Sequence, residues 1–425
     1  MLLNRFWKNH HGAVAPMFGL LIIPLMGAVG AAVDYSQASA ARASFQNALD
    51  STALMLSKTA PNESSGDLQT QATNFFNAQF SRPGVSNVVV AVNYSSSSGS
   101  QIVLNGSAVL KTNFLAVLGI DQIDITASTT STWGNTRLRV ALVLDNTGSM
   151  ASSNKMTALK TASQNLLTSL KSAAMTPDDV YVSIIPFNKD VNVDPGSVGA
   201  SWLRWDLWEE VNGSCSKSSY TTKTTCLSHS KVWTADNHNT WNGCVTDRDQ
   251  NFDTTNAAPA AGSTLYPAEQ YSSCPVSLVG LTNDWTSLSN KIDAMQPVGN
   301  TNQAVGLQMG WQSLTAAPFT VPAQDPNYKY GQVIILLSDG LNTEDRWYTN
   351  ASSIDARQQK TCDNLKAAGI TVYTVQVNTD GDPTSSLLQN CASDSSKFFL
   401  LTSSAQIVTT FGQIGTALTN LRLAM

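Results

Sequence analysis

Residues 138–150 read LRVALVLDNTGSM. A run rich in branched apolar residues, Leu138 to Leu144, that stops at a carboxylate reads as a strand buried on both faces of a sheet. After Asp145 the loop Asn146-Thr147-Gly148-Ser149 presents Asp145, Thr147 and Ser149 at alternate positions, and Gly148 lets it turn tightly enough to aim them inward. A second apolar run, Val333 to Leu337, likewise ends in Ser338-Asp339-Gly340, and Pro297-Val298-Gly299-Asn300-Thr301 precedes a helical pattern. Ligands of open α/β sheets bind at the carboxyl ends of strands. Asp145, Thr147, Ser149, Thr301 and Asp339 supply two carboxylates and three hydroxyls, all hard oxygen donors suited to Mg²⁺ or Mn²⁺. Zinc would recruit His or Cys, and neither lies near these loops. Each residue alone could be a helix cap. All five at strand and helix ends favour a metal site.

Outward from this stretch, strands alternate with helices, which argues for a mostly parallel sheet covered on both faces. The strands read Leu138 to Leu144, Val180 to Pro186, Val333 to Leu337, Ile370 to Val377 and Phe398 to Leu401. The helices read Lys155 to Lys171, Trp285 to Met295, Asn302 to Leu314, Ser352 to Ala368 and Ala405 to Leu421. Leu159, Ala162, Leu166 and Leu170 fall on one stripe. Residues 194–280 interrupt the alternation with five of the ten tryptophans and four of the six cysteines. Trp202, Trp205, Trp208, Trp233 and Trp241 need a surface to pack on, so this stretch is an insertion rather than a linker.

The pattern Asp145-x-Thr147-x-Ser149, then Thr301, then Asp339 in Ser338-Asp339-Gly340, resembles the metal-ion-dependent adhesion site of the von Willebrand factor A family, with Thr147 where a Ser is commoner. The resemblance covers roughly residues 137–425 apart from the insertion. It implies a Rossmann-like α/β domain holding one divalent ion, Ser149 and Thr301 ligating directly, and a last position open to a carboxylate of a partner protein.

Toward the amino terminus, residues 12–33 (GAVAPMFGLLIIPLMGAVGAAV) carry no charge and are long enough to cross a bilayer. Arg5 and Lys8 precede them and Asp34 follows, so the positive-inside rule predicts a cytoplasmic tip and an exported remainder. A cleaved signal peptide also fits; the length of the run favours a retained anchor. Asp34 to Lys58 has no Gly or Pro and continues as helix, with Phe45, Leu49, Ala53 and Leu56 on one side. Residues 59–136 then read as a small α+β module: a polar break, a helix with Phe75, Phe76 and Phe80 on its apolar side, and strands Val88 to Val92, Ile102 to Leu110 and Ile123 to Trp133, the first two parted by the Ser-rich turn 95–100. Three segments follow: 1–58, 59–136 and 137–425 with the insertion.

The start Gly12-Ala13-Val14-Ala15-Pro16, the apolar span and Val33-Asp34-Tyr35 entering an Ala-rich helix resemble TadG-like proteins of Flp (Tad, type IVc) pilus assembly. Trp241-Asn242-Gly243-Cys244-Val245 with Arg248 is similar to insertions of that group. The resemblance implies an inner-membrane protein with a periplasmic binding domain that serves pilus assembly or anchoring through a protein partner. A surface adhesin, or a partner module of an ATPase-type machine, are the competing expectations.

Charged residues make up 13% of the 425-residue chain, net charge is -5 and no Lys/Arg cluster occurs, which excludes a nucleic-acid footprint. With 42% hydrophobic residues the chain can bury a core. Six cysteines in an exported chain predict three disulfides. Cys362 pairs with Cys391 inside the sheet domain; for Cys215, Cys226, Cys244 and Cys274 the sequential pairs are preferred among three connectivities. Asp247, Asp249, Asn251 and Asp253 imitate the start of an EF-hand loop, but Phe252 and Ala258 stand at its sixth and twelfth positions, so they read as a solvated acidic turn. No nucleophile-base motif or phosphate loop occurs, and the chain reads as non-enzymatic.

Overall fold

The computed structural model describes residues 14–57, 59–60, 63–95, 100–133, 136–315, 317–379 and 381–423. The basic tip with Arg5 and Lys8, the first two residues of the apolar span, Lys58 and residues 96–99 of the Ser-rich turn lie outside them. The chain divides into two compact units, Met1–Asn135 and Thr136–Ala424.

In the first unit, helix α1 runs unbroken over Val14–Leu56 with Pro24 inside it. Its 43 residues extend about 65 Å at 1.5 Å per residue. By length and composition it can cross a membrane. Its carboxyl half is amphipathic, burying Ala41, Phe45, Leu49, Ala53 and Leu56. These pack against helix α2 (Ser65–Gln79) and the antiparallel meander β1 (Val85–Ser95), β2 (Ser100–Lys111), β3 (Gln122–Trp133). In β2 Ile102, Leu104, Ala108 and Leu110 turn to the core at every second position, the period of a sheet with one wet face. Phe45 lies 4.9 Å from Phe76 and 5.2 Å from Phe80 between ring centroids, an edge-to-face cluster at the centre of this core. Phe80 caps α2 rather than belonging to it, and Phe75 is only partly buried.

The second unit is an eight-stranded sheet with helices on both faces. Its centre is β4 (Thr136–Asp145), flanked by β5 (Val180–Phe187) and β9 (Lys329–Ser338); β10 (Thr371–Val377) and β11 (Phe398–Leu401) follow β9, all parallel. Beyond β5 the edge is antiparallel: β6 (Val191–Asn192) and β7 (Cys244–Val245) continue it, and β8 (Val279–Thr282) pairs with β5. Nine of the ten residues of β4 are buried, as expected of a central strand with no wet face. On one face lie α3 (Lys155–Ala173), α4 (Trp285–Ala294) and α8 (Ala405–Leu423); on the other α5 (Gln303–Thr315), α6 (Ala351–Ala367) and α7 (Ser386–Cys391).

The insertion belongs to this unit's core. It donates β7 to the sheet edge, and Trp208 and Trp241 are buried against the same face as α5. Arg248, fully buried, donates to the carbonyls of Ala257 (2.6 Å), Phe252 (2.7 Å) and Thr255 (2.7 Å), which holds the loop around it. Disulfides join Cys215 to Cys226, Cys244 to Cys274 and Cys362 to Cys391. The acidic turn departs from expectation. Asp247 and Asp253 are buried, Arg357 Nε donates to Asp253 at 2.7 Å, and Arg204 and Arg346 both donate to Asp249. Asp253 thereby ties the insertion to α6 through Arg357, Asp249 ties it to the loop before α6 through Arg346, and the Asp247 carboxylate accepts Asn302 Nδ2 at 2.7 Å and the Arg346 amide at 3.3 Å.

Candidate metal centre

Parallel pairing of β4 with β9 sets Leu144 opposite Leu337, so the two strands end side by side and deliver Asp145 and Ser338-Asp339 to one place. Ser338 Oγ donates to Asp145 Oδ2 at 2.6 Å, and the Thr147 amide donates to Asp145 Oδ1 at 2.8 Å. Ser149 Oγ donates to Asp339 Oδ1 at 2.6 Å and lies 2.9 Å from Thr147 Oγ1. Four of the five sequence-derived residues thus form one cluster, with Asp145, Thr147 and Asp339 all buried.

Thr301 is on the adjoining loop, two residues before α5, and is also buried. The Gly148 amide donates to the Gly299 carbonyl at 3.0 Å and the Val298 amide to that of Asn146 at 2.8 Å, which ties this loop to the Asp145 loop. The Thr301 amide donates to Thr343 Oγ1 at 2.8 Å. Helix α5 sits close on the sheet because two of its residues lack Cβ: one built on Gly306 would fall 2.6 Å from Phe187 Cγ, and one on Gly310 2.5 Å from Val143 Cγ2.

A residue outside the sequence-derived set completes the cluster. Lys155 Nζ donates to Asp339 Oδ2 at 2.6 Å from a fully buried position. Lys155 stands four residues before Leu159, on the very stripe that Leu159, Ala162, Leu166 and Leu170 define, and a lysine on that stripe was the available signal. Ser338 had a signal too, as the hydroxyl beside Asp339. Burial first, and then the charge of Asp339, push the Asp145 carboxyl up to about 6.

The donor set fits a hard divalent ion. Among the candidate ligands, Ser149 Oγ lies 2.6 Å from Asp339 Oδ1 and 2.9 Å from Thr147 Oγ1, close enough for these oxygens to share one ion whose bonds are about 2.0 to 2.1 Å. Two carboxylates against one ammonium leave negative charge to attract a cation. Among the described residues no group of three His, Cys, Asp or Glu side chains is placed to hold a metal ion.

Residues 12–55 match the family model described as putative Flp pilus-assembly TadE/G-like, and residues 264–413 match that of the von Willebrand factor type A domain. The second match includes Thr301 and Asp339 and begins beyond Asp145, Thr147 and Ser149, which the insertion separates from it. Among solved structures, the pilus adhesin SpaC of Lactobacillus rhamnosus GG is 14% identical with a TM-score of 0.40, over 80% of this chain and 36% of that one. This chain therefore spans about a third of the SpaC chain. The von Willebrand factor domain of the type V pili tip protein Mfa5 of Porphyromonas gingivalis is 13% identical with a TM-score of 0.39, over 68% of this chain and 97% of that one. Proximal thread matrix protein 1 of the mussel byssus, with a zinc-occupied adhesion-site motif, is 13% identical with a TM-score of 0.35, over 67% and 46%. Comparison with curated proteins finds no match.

Proposed function

We propose that this chain, which joins a TadE/G-like segment to a von Willebrand factor A domain, is a membrane-anchored pilus-assembly or pilus-anchoring protein that grips a partner protein through a divalent ion. The observation that carries the reading is the buried oxygen cluster at the ends of β4 and β9, next to the Thr301 loop. Asp145, Thr147, Ser149, Thr301 and Asp339 would hold Mg²⁺ or Mn²⁺. When bound, the ion offers an electrophilic position to a carboxylate of the partner. The protein's own residues do the rest. Ser338 and the Thr147 amide orient Asp145, Ser149 bridges Thr147 to Asp339, and Lys155 fixes Asp339 from behind. No general base or nucleophile is asked of them, so the role is binding rather than catalysis.

The anchor reading rests on α1 and the TadE/G-like match. With the basic tip inside, the unit from Thr136 onward faces the periplasm, where its three disulfides are stable. Segments 1–58, 59–136 and 137–425 are then anchor, stalk and binding domain, with 194–280 as an elaboration of the last. Affinity capture of pilus-assembly components on the full chain tests the reading. Capture in Mg²⁺ that is lost in chelator, and lost again with Asp145→Ala, is the expected result; capture indifferent to both refutes a metal-borne contact.

A further inference from the structure

We infer that the β2–β3 loop, Phe114 to Ile120, enters the bilayer leaflet nearest this unit and gives it a second lipid contact beside α1. The inference rests on the reading of α1 as a membrane span. The loop reads Phe-Leu-Ala-Val-Leu-Gly-Ile, uncharged between Lys111 and Asp121. Phe114 is 52% exposed, Val117 86%, Leu118 64% and Ile120 48%. Single exposed apolar residues are ordinary, but four in seven residues form a patch that needs a partner.

Its position names the partner. Strand β2 runs alongside α1 in the opposite direction: a Cβ on Gly106 would meet Phe45 and Leu49, and one on Gly30 would fall 2.5 Å from Phe114 Cβ. From Phe45 back to Gly30 the helix covers about 22 Å, and from Gly106 to Phe114 the strand covers roughly 26 Å. Helix and strand therefore reach the same level, and the loop sits at the end of the unit from which the uncharged half of α1 emerges. Gly30 lies about 6 Å inside Asp34, the first charge after that half, which puts Phe114 at hydrocarbon depth. There Met17, Leu20, Leu21, Leu25, Met26 and Val29 are exposed along α1, so the bilayer that covers them also reaches the loop.

Asp34 locks the arrangement. Only 2% exposed, it accepts the amides of Asn113 (3.3 Å), Phe114 (2.8 Å) and Leu115 (2.7 Å). A carboxylate at the edge of hydrocarbon needs such donors in place of water, and in supplying them the loop is held against the helix. A depth of 5–10 Å is that of interfacial apolar segments generally.

All six native cysteines are in disulfides, so a single introduced cysteine can be labelled in the full chain. Val117→Cys, with Leu118→Cys as a second position, is labelled with an environment-sensitive fluorophore and reconstituted in phosphatidylethanolamine–phosphatidylglycerol vesicles containing brominated lipid. Leu21→Cys marks the span and the exposed α2 position Asn74→Cys marks water. Quenching at 117 and 118 several-fold above Asn74 and near that of Leu21 is expected. Quenching at Leu21 with 117 and 118 no different from Asn74 overturns the loop contact and leaves the span standing. Absence of quenching at Leu21 overturns the span and the inference with it. Cross-linking between copies through 117 without lipid quenching makes the patch a protein interface and also overturns it.

Discussion

Lys155 and Asp339 form an ion pair of 2.6 Å sealed from water, with side-chain exposures of 1% and 0%. Breaking such a pair from one side leaves an uncompensated buried charge and costs about 3–5 kcal/mol. Lys155→Met should lower the unfolding temperature most in chelator. Mg²⁺ should restore more stability to this variant than to the parent, because the ion then supplies the positive charge that Asp339 has lost. Thermal unfolding of both proteins with and without Mg²⁺ checks this, and an equal response to Mg²⁺ would deny any link between the ammonium and the cation site.

Cys362 and Cys391 are both fully buried and close a loop of 29 residues between α6 and α7. In the chain-entropy account this stabilises by roughly 3–4 kcal/mol. Replacing both by Ala should cost that much in denaturant unfolding while leaving the sheet intact. A loss below about 1 kcal/mol would show that the bridge adds little to packing already in place.

Asp247 contributes to the pH dependence of stability. Burial, then the charges of Asp345 and Asp253, push it up to about 7 from 3.8, although Arg346 and Asn302 donate to it. Between these values the folded chain holds a proton that the unfolded chain releases, so stability falls as pH rises from about 4 to 7 and levels off above. Asp247→Asn removes this contribution. Its stability advantage over the parent should grow from pH 5 to pH 8 by an amount on the order of 1–3 kcal/mol. Chemical denaturation at both pH values measures it, and an advantage that shrinks with pH reverses the sign.

What could be read from sequence was what periodicity carries. The central parallel strands show because β4, β5 and the carboxyl half of β9 are buried on both faces and so are nearly continuously apolar, and Asp145 and Asp339 stand out by ending such runs. The Trp-rich stretch was legible as packed, since Trp208 and Trp241 have no use in a linker. Strands β6, β7 and β8 were not legible, because two- and four-residue edge strands have no period. The burial of Lys155 at the head of α3 has no local signature beyond its place on the apolar stripe; only the partner delivered by β9, 184 residues away, makes it tolerable. Asp247 and Asp253 are buried for a similar reason: Asp253 meets Arg357 and Asp247 accepts from Asn302 and the Arg346 amide, partners that lie about fifty to a hundred residues downstream.

The proposed function stands or falls on whether the cluster around Asp145 and Asp339 holds one divalent ion. The most direct test is calorimetric titration of Mg²⁺ and Mn²⁺ into the soluble unit from Thr136 onward, beside the Asp145→Ala and Thr301→Ala variants. One ion per chain is expected, lost in both variants, with circular dichroism unchanged because the apolar strands and striped helices hold the fold without the ion. Absence of divalent-ion binding, or binding that both substitutions leave unaltered, would contradict it and reduce the five residues to caps and loop packing.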